Sequence, residues 1–204
     1  MRKIVYSGVL FFAFCGVAAA QVAEPAALIK PSSQITLQVG GVFASPITDD
    51  GVRYKPASSS SMGGGYRYYL THWLGVEGDF EYFHDSQKYT TPAFVLAQKT
   101  NAAAVSGGVV INLPNPLTKK FQSFFMVGGG ALIFHREDTN SDLLTKNAIV
   151  FGGGIDIPVV RHLAIRGQAN TFLYKAPDFG VSELKIDKFT QAMVPSVGLV
   201  YKFR

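Results

Sequence analysis

Alternation of apolar and polar residues over segments of about ten residues constrains this chain more than any other feature. In "LGVEGDFEYFH" (74–84), Glu77, Asp79 and Glu81 occupy every second position, and Val76, Phe80 and Tyr82 stand between them. Successive residues of a strand point to opposite faces, so the segment has one carboxylate face and one apolar face. "QITLQVGGVF" (34–43) sets Ile35, Leu37 and Val39 against Thr36, Gln38 and Gly40. "SMGGGYRYYL" (61–70) sets Tyr66, Tyr68 and Leu70 against Arg67 and Tyr69. The pattern returns at 101–113, at 163–174 with Arg166, Gln168 and Asn170 in one phase, and at 189–203. It is less regular in the glycine-rich stretches 121–135 and 148–157. Eight strands of about ten residues follow, the length that a tilted strand needs to cross a bilayer.

The connections alternate in length. Those after the first, third, fifth and seventh strands are long and polar ("ASPITDDGVRYKPASSS", "DSQKYTTPAFVLAQK", "REDTNSDLLTKN", "KAPDFGVSELKIDK"), and those after the second, fourth and sixth are short ("THW", "PNPLTKK", "PVVRH"). A meander with long loops at one end and short turns at the other is the plan of a transmembrane β-barrel, with the short turns in the periplasm. The N-terminus supplies a route: Arg2 and Lys3, an apolar run, then "AAAQ" read as a secretory signal peptide over 1–20. Residues 21–33 are expected to be a periplasmic N-terminal segment and 34–204 the barrel. A membrane-spanning helix needs a longer apolar run. A lipoprotein would acylate Cys15, but "FAFCG" places Phe12 where leucine is usual.

Cys15 is the only cysteine and lies in the leader, so no disulfide framework or thiolate metal site is expected beyond it. Without Arg2 and Lys3, the basic residues fall from 19 to 17, only slightly in excess of the 14 acidic ones, and they are dispersed. This gives no ground for a nucleic-acid partner. His72, His84, His135 and His162 lack metal-ligand spacing, and the "GGG" runs lack the lysine and helix of a phosphate loop, so no cofactor or metal is expected.

Taken together, these features resemble the eight-stranded outer-membrane β-barrels of the OmpA-like and OmpX-like group. The last strand ends "VGLVYKF", where Leu199, Tyr201 and Phe203 share a phase like the C-terminal signal read by the barrel assembly machinery; Arg204 departs from the aromatic ending usual in that family. "GGGIDIPVVRHLAIRGQANTFLY" is similar to the penultimate hairpin of such barrels. The resemblance implies an all-β, eight-stranded antiparallel up-and-down transmembrane barrel without a peptidoglycan-binding domain. Its partners would be outer-membrane lipid and lipopolysaccharide, the assembly machinery, and a ligand or protein at the four extracellular loops. Tyr68, Trp73 and Tyr201 are expected at the membrane interface, with Tyr69 beside them. A soluble sandwich, barrel or lipocalin-like carrier shares the strand pattern, with its apolar face turned inward.

If the apolar phase faces lipid, the charged phase fills a barrel too narrow for an open pore. Symmetry about His72 sets Arg67 opposite Glu77, and the same construction about "PVVRH" sets Arg166 one diagonal step from Asp156. The expected interior network is Arg67, Glu77, Asp79, Glu81, Asp156, Arg166 and Lys202, with a structural and not a catalytic role. A structural or adhesive function through the loops follows. The alternatives are a narrow porin and a lipid A acyltransferase or deacylase. The enzymatic alternative draws on "FHDSQ", where His84 and Ser86 share a phase while Asp85 points the other way.

Overall fold

The computed structural model describes residues 32–49, 52–56, 58–90, 95–114, 121–136, 143–175 and 188–203. The leader 1–20, most of 21–33 and Arg204 lie outside them. Among the described residues ten strands run in chain order: β1 (Ser32–Ala44), β2 (Ile47–Asp49), β3 (Val52–Pro56), β4 (Ser59–Tyr69), β5 (Leu74–Thr90), β6 (Val95–Leu113), β7 (Gln122–Arg136), β8 (Leu143–Val160), β9 (Leu163–Lys175) and β10 (Phe189–Phe203). Eight of them, β1 and β4 to β10, form the wall. Each pairs antiparallel with its neighbour, and β1 pairs with β10 from Ser33↔Phe203 to Ala44↔Ala192, which closes the sheet and removes its edges.

The first strand begins at Ser32, two residues before the expected boundary, because Ser32 and Ser33 already have partners in Tyr69 and Tyr68 of β4. A larger difference lies at the opposite end. The stretch after Asp85, expected as a loop, continues the β5–β6 ladder without a register break from Leu74↔Ile111 to Thr90↔Val95. β4 leaves β5 at Ser61↔Phe83, and β7 joins β6 only from Thr100, so the outer halves of β5 and β6 project beyond the barrel wall. There β3 pairs with β5 (Arg53↔Thr90 to Pro56↔Gln87) and β2 with β3. The first long connection is therefore partly strand as well. At about 3.4 Å per residue, the seven residues past Phe83 add about 24 Å of strand.

The outward phase is apolar across the middle of the wall: Leu37 is 69% and Val39 65% exposed, and Phe80, Val127, Ile165 and Leu199 share that face. The inward phase divides along the barrel axis. Toward the short turns and the chain ends it is polar. Toward the long connections it buries Phe83, Leu132, Phe134, Val150, Phe172 and Val194.

At the first short turn, the Thr71 hydroxyl accepts hydrogen bonds from the backbone NH of Leu74 at 2.9 Å and of Trp73 at 3.3 Å. A side-chain oxygen thus substitutes for backbone partners in a tight reversal. At the third turn, a bulge between Pro158 and Val160 adds a residue to β8. It brings Asp156 directly opposite Arg166, not diagonal to it, because symmetry counting about the turn cannot see an inserted residue.

Candidate functional site

The polar tier centres on two arginines that are each only 1% exposed. Arg67 stands opposite Glu77 in the β4–β5 ladder and donates to its Oε2 from Nη2 at 2.6 Å and from Nε at 3.0 Å. Arg166 donates to Asp156 Oδ1 at 2.7 Å and Oδ2 at 3.0 Å, a bidentate pairing of fork and carboxylate. Its Nη1 also reaches Glu77 Oε1 at 2.9 Å, so Glu77 bridges both guanidinium groups. The remaining Arg166 donors go to Gln34 Oε1 at 2.9 Å and to Thr36 Oγ1 at 3.2 Å.

Phe124 from β7 packs against both cations, its ring centroid 4.0 Å from Arg67 Cζ and 4.8 Å from Arg166 Cζ. An aromatic face attracts a cation most strongly where water is excluded. Tyr69 turns inward with Arg67 instead of joining the interface aromatics: its hydroxyl accepts from Arg67 Nη1 at 3.1 Å and donates to Asn112 Oδ1 at 3.1 Å. Asn112 in turn donates to the His72 carbonyl at 3.0 Å, tying the first turn to β6.

The other expected members stand apart from these pairs. Asp79 and Glu81 are buried one and two inward positions further along β5, and no ion pair to either occurs among the described residues. Glu81 Oε1 accepts from Gln38 Nε2 at 2.8 Å, and Gln38 Oε1 accepts from Gln168 Nε2 at 2.9 Å. Lys202 has the inward phase but is half-buried at the end of β10 opposite Gln34, also without an ion pair among the described residues.

Sequence reading missed Phe124, Tyr69, Asn112 and the Gln34–Thr36–Gln38 row. The row was legible as the polar phase of 34–43. Phe124 was not, since Phe125 beside it is equally apolar and phase alone cannot choose between them.

Among the terminal and interfacial residues, Trp73, Leu199, Tyr201 and Phe203 are exposed on the outward face and Tyr68 is half-buried in the same phase as Tyr66. Tyr201 and Phe203 meet edge to face at 4.8 Å, and His162 stacks on Tyr201 at 6.1 Å. His84 and Ser86 pair in backbone register with Asn101 and Lys99, but the side chains of 84–100 lie outside the described residues.

A closed barrel that is apolar outside and charged inside is the inverse of a soluble protein, and comparison with known proteins agrees. The model of the outer membrane protein beta-barrel domain matches residues 9–203. The chain belongs to this family. The outer-membrane barrel also resembles solved structures at the level of fold. The outer membrane protein OprG of Pseudomonas aeruginosa aligns with a TM-score of 0.59 at 14% identity, covering 86% of this chain and 98% of that one. Neisserial surface protein A aligns with a TM-score of 0.57 at 11% identity, covering 85% and 97%. Ail, the attachment invasion locus protein of Yersinia pestis, solved with the heparin analogue sucrose octasulfate, aligns with a TM-score of 0.50 at 15% identity, covering 86% and 100%. No curated protein matches the chain. For an outer-membrane barrel the exposed Leu37, Val39 and Leu199 are the lipid-facing wall, and the buried charges are its filling.

Proposed function

We propose that this outer-membrane barrel is a surface-binding protein without catalytic or conducting activity, and that it works through the extension built from β2, β3 and the outer halves of β5 and β6. The observation that carries this reading is the register. Lys55 stands opposite Lys88, Arg53 opposite Thr90 and Lys99 opposite Ser86, so four basic residues fall in one phase of the extension. Asp49 and Asp85 fall in the other phase. Along β5 the basic phase continues, in backbone register, the lipid-facing positions Phe80 and Tyr82 beyond the wall. Phosphorylated or sulfated glycans, lipopolysaccharide among them, are the ligand class such a phase fits.

The Yersinia barrel solved with a sulfated sugar supports the same class. In the same reading the leader 1–20 is removed on export, and Leu199, Tyr201 and Phe203 are read by the barrel assembly machinery. The test is retention of cells carrying the protein on immobilised heparin and on lipopolysaccharide. Replacing Arg53, Lys55, Lys88 and Lys99 with serine is expected to lower retention by roughly tenfold or more and to leave the heat-dependent gel shift of the folded barrel and the mass of lipid A unchanged. Equal retention, or a change in lipid A acylation on expression, defeats the reading.

A further inference from the structure

The charges inside the barrel divide unequally. Arg67 and Arg166 are matched by Glu77 and Asp156. Asp79 and Glu81, at 6% and 2% exposure, have no such partner among the described residues, and Asp79 Oδ2 and Glu81 Oε2 are buried without a hydrogen-bond partner among them. Lys202 stands opposite Gln34 at the periplasmic end, below the ion-pair tier. On the extracellular side the next inward residue of β5 is Phe83, part of the apolar tier. Two carboxylates are therefore buried in this part of the interior without an ion pair, where an uncompensated charge is costly.

Two features shape that space. The inward positions of β4 beside the carboxylates are glycines: Gly65 pairs with Asp79 and Gly63 with Glu81. A Cβ on Gly65 would collide with Asp79 Oδ1, and one on Gly63 would come within 3.0 Å of Glu81 Cγ. In addition, the Gln168–Gln38 chain fixes Glu81 by Oε1 alone and leaves Oε2 open.

We propose that Asp79 and Glu81 bind a hard divalent cation of the calcium type inside the barrel. Two carboxylates without an ion pair match the charge of one divalent ion. Residues two apart on a strand are roughly 7 Å apart along the chain, a span from which both side chains can reach an ion at about 2.4 Å. The donors are oxygens, which select calcium or magnesium over softer metals. With two carboxylates and not three, the coordination shell is completed by amide oxygens and water, as calcium permits.

The test refolds the protein into uncharged detergent free of lipopolysaccharide, with calcium chloride present. Loosely held ions are removed by gel filtration, and retained calcium is measured by mass spectrometry. About one ion per chain is expected, falling by about tenfold or more in Asp79→Asn/Glu81→Gln, with folding of the variant verified by the heat-dependent gel shift. If the double variant does not fold, Glu81→Gln alone takes its place. The thermal midpoint of the unaltered protein, compared in calcium and in chelator, is a second readout that needs no variant. No retained calcium, equal retention in the variant, or the same midpoint in calcium and chelator overturns the proposal.

Discussion

Glu77 accepts hydrogen bonds from two buried guanidinium groups, Arg67 through Oε2 and Arg166 through Oε1, so its loss is not equivalent to the loss of either arginine. Glu77→Gln leaves two buried cations to share Asp156, and a cost of roughly 3–5 kcal/mol is expected, the range for breaking a buried pair from one side. Arg67→Ala leaves Glu77 still held by Arg166, so a smaller loss of roughly 1.5–3 kcal/mol is expected, that of hydrogen bonds to a charged group. Urea unfolding of the refolded barrel in lipid vesicles ranks the two, and a milder effect for Glu77→Gln contradicts the bridging role. The sequence alone treats Arg67 and Glu77 as an isolated couple, for which adding Glu77→Gln to Arg67→Ala restores part of the lost stability. With Arg166 in the same network the double variant is expected to show no recovery. The cross-strand partner of Arg67 was legible because a regular turn fixes register. The second partner of Glu77 was not, because Arg166 lies 89 residues away in the chain and reaches it across the interior.

At the scale of strands, legibility followed chemistry. β5 up to Glu81 and β9 up to Asn170 have one apolar and one largely polar phase, and their alternation marks them. β7 is apolar in both phases, since Phe124 and Met126 face the interior while Phe125 and Val127 face lipid, the pattern of a strand buried on both sides. The outer halves of β5 and β6 looked like loop for the opposite reason: past the bilayer no lipid enforces an apolar phase, and "SQKYT" carries no alternation. The glycine runs have a positional role at the seam of β6 and β7, where Gly107↔Gly129 and Gly108↔Gly128 oppose each other. A Cβ on Gly128 would meet the Gly107 carbonyl and the Gly108 backbone, which no rotamer change can relieve. Gly128→Val is therefore expected to separate the two strands, at a cost of roughly 1–3 kcal/mol for overpacking or more, and to reduce the heat-shifted band in the outer-membrane fraction. Gly167→Ala is the control, since a Cβ there meets nothing within 4 Å; equal assembly of the two variants contradicts the close-approach role.

For the whole molecule, the two interior tiers decide whether the barrel conducts. In the polar tier, the two guanidinium groups packed against Phe124 are bonded to protein acceptors. Above it Leu132, Phe134, Val150 and Phe172 are each 2% exposed or less, and Phe134 lies 6.2 Å from Tyr174 between ring centroids. An ion crossing the barrel would have to be desolvated through that apolar layer, which offers it no replacement ligands. The protein in planar bilayers is accordingly expected to give no discrete conductance steps. Cutting the layer back in Leu132→Ala/Phe134→Ala/Phe172→Ala removes side chains whose truncation costs several kcal/mol in a packed core, yet the closed ladder and the ion-pair tier remain to hold the wall. That variant is expected to refold with a lowered unfolding midpoint and to admit water as far as Asp79 and Glu81. Small cation-selective steps should follow if the apolar tier is the barrier. If the triple variant folds and stays silent, the seal belongs to Phe124 and its two arginines, and the same recording on Phe124→Ala would place it there.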